Sequence, residues 1–334
     1  MENEQPLWDV IVIGTGMAGL SAGMYCGRFN LKTLVIGELP GGIITTTHLV
    51  ENYPGIPSIT GVDMGMVFLE HAQKFGAKLE FAKVIDIERL PADASAQRER
   101  EGERTSGSAS ESEGRAYKFK FWVKTPSKEF FGKTVIISTG TEHKKIGVPG
   151  EKELNAKGVS YCALCDAAFF KQKTVCVVGG GDSSAIEALI LKDMCKKVYM
   201  FVRKDVLRAE PINYDRVMKS ANIEVRYQTE VAEIRGEGKV QSVLLKSGEE
   251  LPMDGVFVAI GHIPLSALAE KLGCELDDHK QIKINRHSET SIPGVYAAGD
   301  VCDSPFKQAI TGASEAVVAS YFAYQYLQKE EVRP

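Results

Sequence analysis

Apolar positions in this chain come in short unbroken runs, and most of the runs stop at a glycine. Residues 9–28, "DVIVIGTGMAGLSAGMYCGR", pass from an apolar run through a glycine turn into a stretch of small residues. Residues 173–191, "KTVCVVGGGDSSAIEALIL", repeat that order, and each unit is followed by a second apolar run, "TLVIGE" (33–38) and "KVYMFVR" (197–203). Unbroken rather than alternating apolar runs mark strands covered on both faces, and a small-residue helix between two of them is a βαβ unit. Two such units half a chain apart predict two dinucleotide-binding domains. Three further runs, "TVIISTG" (134–140), "GVFVAIG" (255–261) and "GVYAAGD" (294–300), read as buried strands ending where backbone must approach something closely. Residues 91–116, "PADASAQREREGERTSGSASESEGRA", are nearly free of large apolar residues and read as a flexible insertion between two strands.

A length of 334 residues accommodates two domains, and 44% hydrophobic with 25% charged residues is ordinary for a globular protein. The net charge of −4 gives no reason to expect nucleic acid or an anionic membrane as partner. The N-terminus "MENEQPLWDV" carries acids where a secretory signal needs bases, and no apolar run approaches the ~20 residues that span a bilayer. The expected compartment is the cytoplasm.

Gly14, Gly16 and Gly19 form G-x-G-x-x-G between a strand and a helix. The first allows the tight turn, the second lets a pyrophosphate approach the backbone, and the third lets helix pack on strand. Glu38, ending the second strand, is the acid expected on a ribose hydroxyl. Gly179 and Gly181 repeat the turn with Ser184 in the third place. There the second strand ends in Arg203, Lys204 and Arg208 rather than in an acid. Cations at that point favour the 2′-phosphate of NADPH; the competing reading is a solvated basic turn in which Asp205 pairs locally. Two nucleotide sites, one with a basic strand end, suggest a flavoprotein that takes hydride from a nicotinamide. Asp300 would be the second acid of the first site, and the helix after it would aim its positive end at the flavin.

The chain has seven cysteines, and Cys162 and Cys165 stand in "GVSYCALCDAAFF" (158–170). A zinc site needs two more ligands at matching spacing, and neither the other cysteines nor the six histidines supply them, so no metal is expected. A pair close upstream of the second glycine turn can instead cycle between dithiol and disulfide, with Asp166 delivering the proton a departing thiolate needs.

From "DVIVIGTGMAG" through "GGIITTTHLVENYPG" (41–55), "CALCD", "GGGDSSAIEA", "RKDVLRAE", "VAIGHIP" and "IPGVYAAGDV" to "KQAITGAS", the chain resembles the low-molecular-weight thioredoxin reductases; only 91–116 falls outside the resemblance. The resemblance implies an α/β fold of two Rossmann-like (three-layer ββα) dinucleotide-binding domains, the second inserted into the first. Residues 1–143 and 262–334 would bind FAD, and 147–258 would bind NADPH and carry the C-x-x-C. It implies a homodimer that passes electrons to thioredoxin or a thioredoxin-like protein. Cys162 would attack the substrate disulfide, Cys165 would face the flavin and Asp166 would be the acid. Thr46, Thr47, Asn52, Gln308 and Ala309 would line FAD beside Asp300, and Asp182 and Ser183 would join Gly179 and Gly181 on the nicotinamide nucleotide. Nicotinamide and disulfide share one domain and one flavin face, so that domain is expected to rotate about 140–150 and 261–264.

Five positions depart from the pattern. Ile43 stands where a glutamine is usual, Val202 and Lys204 replace His and Arg of the phosphate grip, Ile186 replaces a glutamate, and Ala167 a glycine. NADH or reduced ferredoxin therefore stays open as donor. A flavin- or nucleotide-sensing protein without turnover is the reading from another class. A dithiol oxidase is disfavoured by Asp166, since such relatives tend to carry His there.

Overall fold

The structure is a computed structural model that describes residues 6–47, 50–90 and 120–331, without the side chains of Thr46, Cys165, Glu330 and Glu331. The 91–116 insertion lies outside the described residues. The chain divides into two compact units, 1–141 with 264–334, and 142–263.

The first unit opens with β1 (Leu7–Ile13), α1 (Met17–Arg28), β2 (Thr33–Ile36), α2 (Gly61–Lys74) and β3 (Lys78–Glu80). It continues through β4 (Asp86–Arg89), β5 (Phe121–Lys124) and β6 (Glu129–Ile137) to a connecting strand, β7 (Thr141–His143). Strands β3, β2, β1 and β6 run parallel in that order. β6 is shared between two neighbours: its first half pairs antiparallel with β5, its last three residues parallel with a strand supplied near the C-terminus.

The second unit holds β8 (Val159–Ser160), α3 (Ala163–Asp166), β9 (Thr174–Val178), α4 (Asp182–Lys192), β10 (Lys197–Val202), α5 (Pro211–Met218) and β11 (Ile223–Tyr227). An antiparallel trio, β12 (Val231–Arg235), β13 (Ser242–Leu245) and β14 (Glu250–Pro252), precedes β15 (Gly255–Val258). The main sheet is parallel, in the order β11-β10-β9-β15-β8. The chain then returns by β16 (His262–Pro264), which pairs with β7, and completes the first unit with α6 (Ala267–Lys271), β17 (Val295–Ala297) and α7 (Ala309–Glu331).

Burial explains the unbroken runs. In β1, Ile11 and Ile13 enter one core, while Val10 and Val12 enter the core on the opposite sheet face. In β9, Val175 and Val177 face one core, and Cys176 and Val178 the other. Successive strand residues point to opposite faces, so a sheet covered on both sides needs every position apolar. Both units are thus Rossmann-like α/β layers, with the second inserted into the first.

Candidate active site

The first glycine turn joins β1 to α1. Gly14 takes φ +121°, and a Cβ there would lie 2.1 Å from the Ser138 carbonyl oxygen; one on Gly19 would lie 1.8 Å from that of Gly14. The chain's own packing requires both glycines. Gly16 differs. Its backbone is one any residue adopts (φ −73°, ψ −176°), and the nearest atom to an added Cβ, the Gly41 oxygen, is 3.9 Å away. Its bareness leaves room for a group from outside the chain, at a helix start whose first N–H groups have no partner within the helix.

The second turn, between β9 and α4, divides in the same way. Added Cβ atoms would lie 2.2 Å from the Ala259 oxygen at Gly179 and 2.7 Å from Val202 Cγ1 at Gly180, whereas Gly181 (φ −110°) meets nothing within 4 Å. Ser184 fits the third place because its hydroxyl donates to the Gly181 carbonyl at 2.6 Å.

Several distant residues gather at the α1 start. The Gly41 N–H donates to the Thr15 carbonyl (2.8 Å), which brings in the short 3-10 turn Gly42–Thr46; Thr47 follows, its N–H on the Ile44 carbonyl. Exposed Glu38 lies just past β2, next to Gly37, where a Cβ would lie 2.6 Å from the Thr15 nitrogen. Asn52 Nδ2 donates to Gln308 Oε1 at 3.0 Å. Ala309 opens α7 and packs on the cluster of Met17, Val50 and Met64. The turn before Asp300 rests on α1 as well, since a Cβ on Gly299 would lie 3.1 Å from the Ala18 Cβ.

In the second unit, exposed Arg203, Lys204 and Arg208 follow β10. The Arg208 N–H donates to the Gly180 carbonyl (2.9 Å), which holds this stretch against the glycine turn. None of the three makes an ion pair among the described residues, so Asp205 does not neutralise them. The Asp182 carboxylate is already engaged: Oδ1 accepts from the Glu210 N–H (2.8 Å) and from Asn213 Nδ2 (2.9 Å). It holds the far end of the basic stretch and the start of α5, while Ser183 beside it is exposed.

Cys162 immediately precedes α3 and is disulfide-bonded, with its N–H on Ser160 Oγ at 3.1 Å. Cys165 lies within α3, and Asp166 ends it, with no capping hydrogen bond from its side chain. Ala163 and Ala167 seat this segment on Ala185 and Ala188 of α4. The five remaining cysteines are free and buried. Burial pushes the Cys26 thiol up to about 12 and that of Cys195 up to about 11, and it raises Cys176, Cys274 and Cys302 too. Thiols held protonated in this way are poor nucleophiles. Among the described residues no group of His, Cys, Asp and Glu is arranged to hold a metal ion.

Two features went unseen in the sequence. Glu187 of α4 has a buried Oε2 without a hydrogen-bond partner, and burial pushes its carboxyl up to about 8. Buried Glu151 accepts from the Tyr161 hydroxyl (2.8 Å) and from the N–H groups of Ile146 (2.9 Å) and Gly147 (2.6 Å), fixing the residue next to Cys162. A single acid in a helical or loop pattern looks like a surface residue, so only the adjacency of Tyr161 to Cys162 was a possible signal.

Residues 8–319 match the pyridine nucleotide-disulphide oxidoreductase family, and the chain belongs to it. The thioredoxin reductase of Bacillus subtilis is 39% identical, over 98% of this chain and 97% of its own. Among solved structures, the thioredoxin reductase of Lactococcus lactis superposes with a TM-score of 0.85 at 33% identity, covering 96% of this chain and 99% of that one. That of T. acidophilum gives 0.83 at 32% identity, covering 96% and 98%.

Proposed function

We propose that this chain is an NADPH-dependent thioredoxin-disulfide reductase. FAD would be held in the first unit and NADPH in the second, with Cys162 and Cys165 as the redox couple. The observation that carries the reading is the contrast among the cysteines: Cys162 is disulfide-bonded beside the second nucleotide turn, whereas five thiols elsewhere are free, buried and unreactive.

The residues fit the two cofactors. Gly16 and Gly181 are bare where the chain itself does not require it, and each stands at a helix start suited to phosphate. Glu38, Asp300, Asn52, Gln308, Ala309, Thr46 and Thr47 would hold FAD; Arg203, Lys204 and Arg208 would take the 2′-phosphate, with Ser183 on the same helix start. Asp182 would act from behind, by holding the basic stretch. When bound, the flavin supplies the two-electron relay between nicotinamide and disulfide. Cys162, as a thiolate, would attack the thioredoxin disulfide and break its S–S bond; Cys165 would then displace the reduced thioredoxin and restore the protein's own disulfide. Asp166 would hand the departing thiolate its proton.

The relatives are named for this activity. The free thiols suit a reducing cytoplasm, and no described helix is long and apolar enough to cross a membrane. The assembly would be a homodimer, as the resemblance implies. Replacing Cys162 by Ser tests the reading: NADPH-driven reduction of thioredoxin is abolished while FAD stays bound. Unchanged turnover would overturn it.

A second donor has one observation in its favour. Val202, buried at the end of β10, has a hydrocarbon side chain that offers no polar group to a phosphate. A ferredoxin-fed enzyme would keep its activity after loss of Arg203 and Arg208.

A further inference from the structure

The segment from Gly299 to Gln308 joins β17 to α7 and carries two of the proposed FAD residues at its ends, Asp300 and Gln308. It is a loop, yet it is tied down along its length by two side chains of opposite charge. Glu315, in the second turn of α7, accepts the Gly299 N–H on Oε2 at 2.8 Å and the Ser304 hydroxyl on Oε1. Its own carbonyl accepts the Ser288 hydroxyl at 2.9 Å, which anchors the helix beneath it. Lys307 Nζ donates to the carbonyls of Asp300 and Cys302, both at 2.6 Å.

Neither charge is matched by an ion pair among the described residues, although the two side chains serve the same loop. Their charge goes to backbone groups and a hydroxyl. A carboxylate can accept from several donors at once, and such charge-assisted bonds are shorter and stronger than neutral ones. The Gly299 turn (φ +87°) is also wedged: a Cβ on it would lie 3.1 Å from the Ala18 Cβ, and one on Gly312 would lie 3.1 Å from the Gly299 Cα. The space between α1 and α7 therefore admits the turn in one place, and Glu315 holds it there.

We propose that Glu315 is a positioning residue for FAD: its carboxylate fixes the Gly299–Asp300 turn against the α1 glycine turn, so that Asp300 is in place before the cofactor arrives. This rests on the reading that the first unit binds FAD. Pre-setting a binding group removes its ordering cost from the binding step, so losing the clamp appears in affinity first.

The test uses the full chain, stripped of flavin and titrated with FAD by fluorescence, with NADPH binding measured in parallel. E315L raises the FAD dissociation constant about tenfold or more, the scale of a lost charge-assisted hydrogen bond. E315Q stays within about threefold of the wild type, because its amide oxygen accepts from Gly299 and its NH2 group donates to Ser304. The NADPH dissociation constant does not change in either variant, whereas general destabilisation would shift both ligands. If E315L does not fold, S304A removes one arm alone and raises the FAD constant about threefold. FAD binding by E315L equal to the wild type overturns the clamp, as does an E315Q as weak as E315L, or an S304A without effect where E315L fails to fold. A wild-type chain that takes up no FAD overturns the underlying reading instead.

Discussion

Asn52 and Gln308 stand 256 positions apart and are joined side chain to side chain at 3.0 Å. The bond ties the segment that leads into α2 to the residue that precedes α7. If both amides serve FAD, they serve it as a pair. N52A and Q308A should each weaken FAD binding, and the double variant should weaken it by less than the product of the two. The expected coupling is about 0.5–1.5 kcal/mol, measured as a double-mutant cycle on FAD affinity. Strict additivity would mean that the bond does not organise the site.

The glycines sort into two kinds, and alanine separates them. G181A places a methyl group in open space on a backbone that accepts it, so the melting temperature should stay near wild type while NADPH binding weakens about tenfold or more. G180A drives a methyl group to 2.7 Å from Val202 Cγ1 and should lower stability by about 1–3 kcal/mol. Equal losses of stability in both, with NADPH binding intact in G181A, would contradict the division.

Arg203 and Arg208 are exposed, without an ion pair among the described residues, and are held beside the glycine turn by the Arg208 N–H. R203A/R208A should raise KM for NADPH by about 10–100-fold and leave kcat/KM for NADH unchanged, since only the 2′-phosphate needs the cations. A parallel loss for both nucleotides would make the pair structural.

Glu187 sets a pH dependence of stability. Burial raises its carboxyl from the ordinary 4.5 to about 8, so the folded protein keeps a proton that the unfolded chain releases. Below pH 4.5 both states are protonated and the group has no effect; as pH rises to about 8 the unfolded state is increasingly favoured. E187Q should therefore match the wild type near pH 4 and exceed it by a few kcal/mol near pH 9. Denaturant midpoints across that range decide it, and a difference independent of pH would mean that the carboxyl ionises freely.

How much of this was legible beforehand depends on how far apart the interacting residues lie. The two βαβ units could be read from adjacent residues, because strand burial, turn and helix start are local. The division of β6 between β5 and β17 could not, since Val135 pairs with Val295 across half the chain. The antiparallel trio β12–β14 was equally hidden, its strands being only three to five residues long, with charged residues in β12 and β14. Within the site, the glycine turns and the C-x-x-C-D segment show as spacing. The contacts of Asp182 Oδ1 with the Glu210 N–H and Asn213 Nδ2 join residues about 30 apart and left no mark in the local pattern. Glu187 and Glu315 gave no signal at all: burial alone distinguishes them from surface acids.

In the proposed reaction, electrons from NADPH reach thioredoxin through the flavin and the Cys162 disulfide. The most direct measurement is anaerobic: mix FAD-loaded protein with one equivalent of NADPH, and separately NADH, and follow the visible flavin absorption. Bleaching is expected to be rapid with NADPH and much slower with NADH, with the colour restored on adding oxidised thioredoxin. Flavin that neither nucleotide bleaches, while reduced ferredoxin still drives thioredoxin reduction, would contradict the proposed reaction.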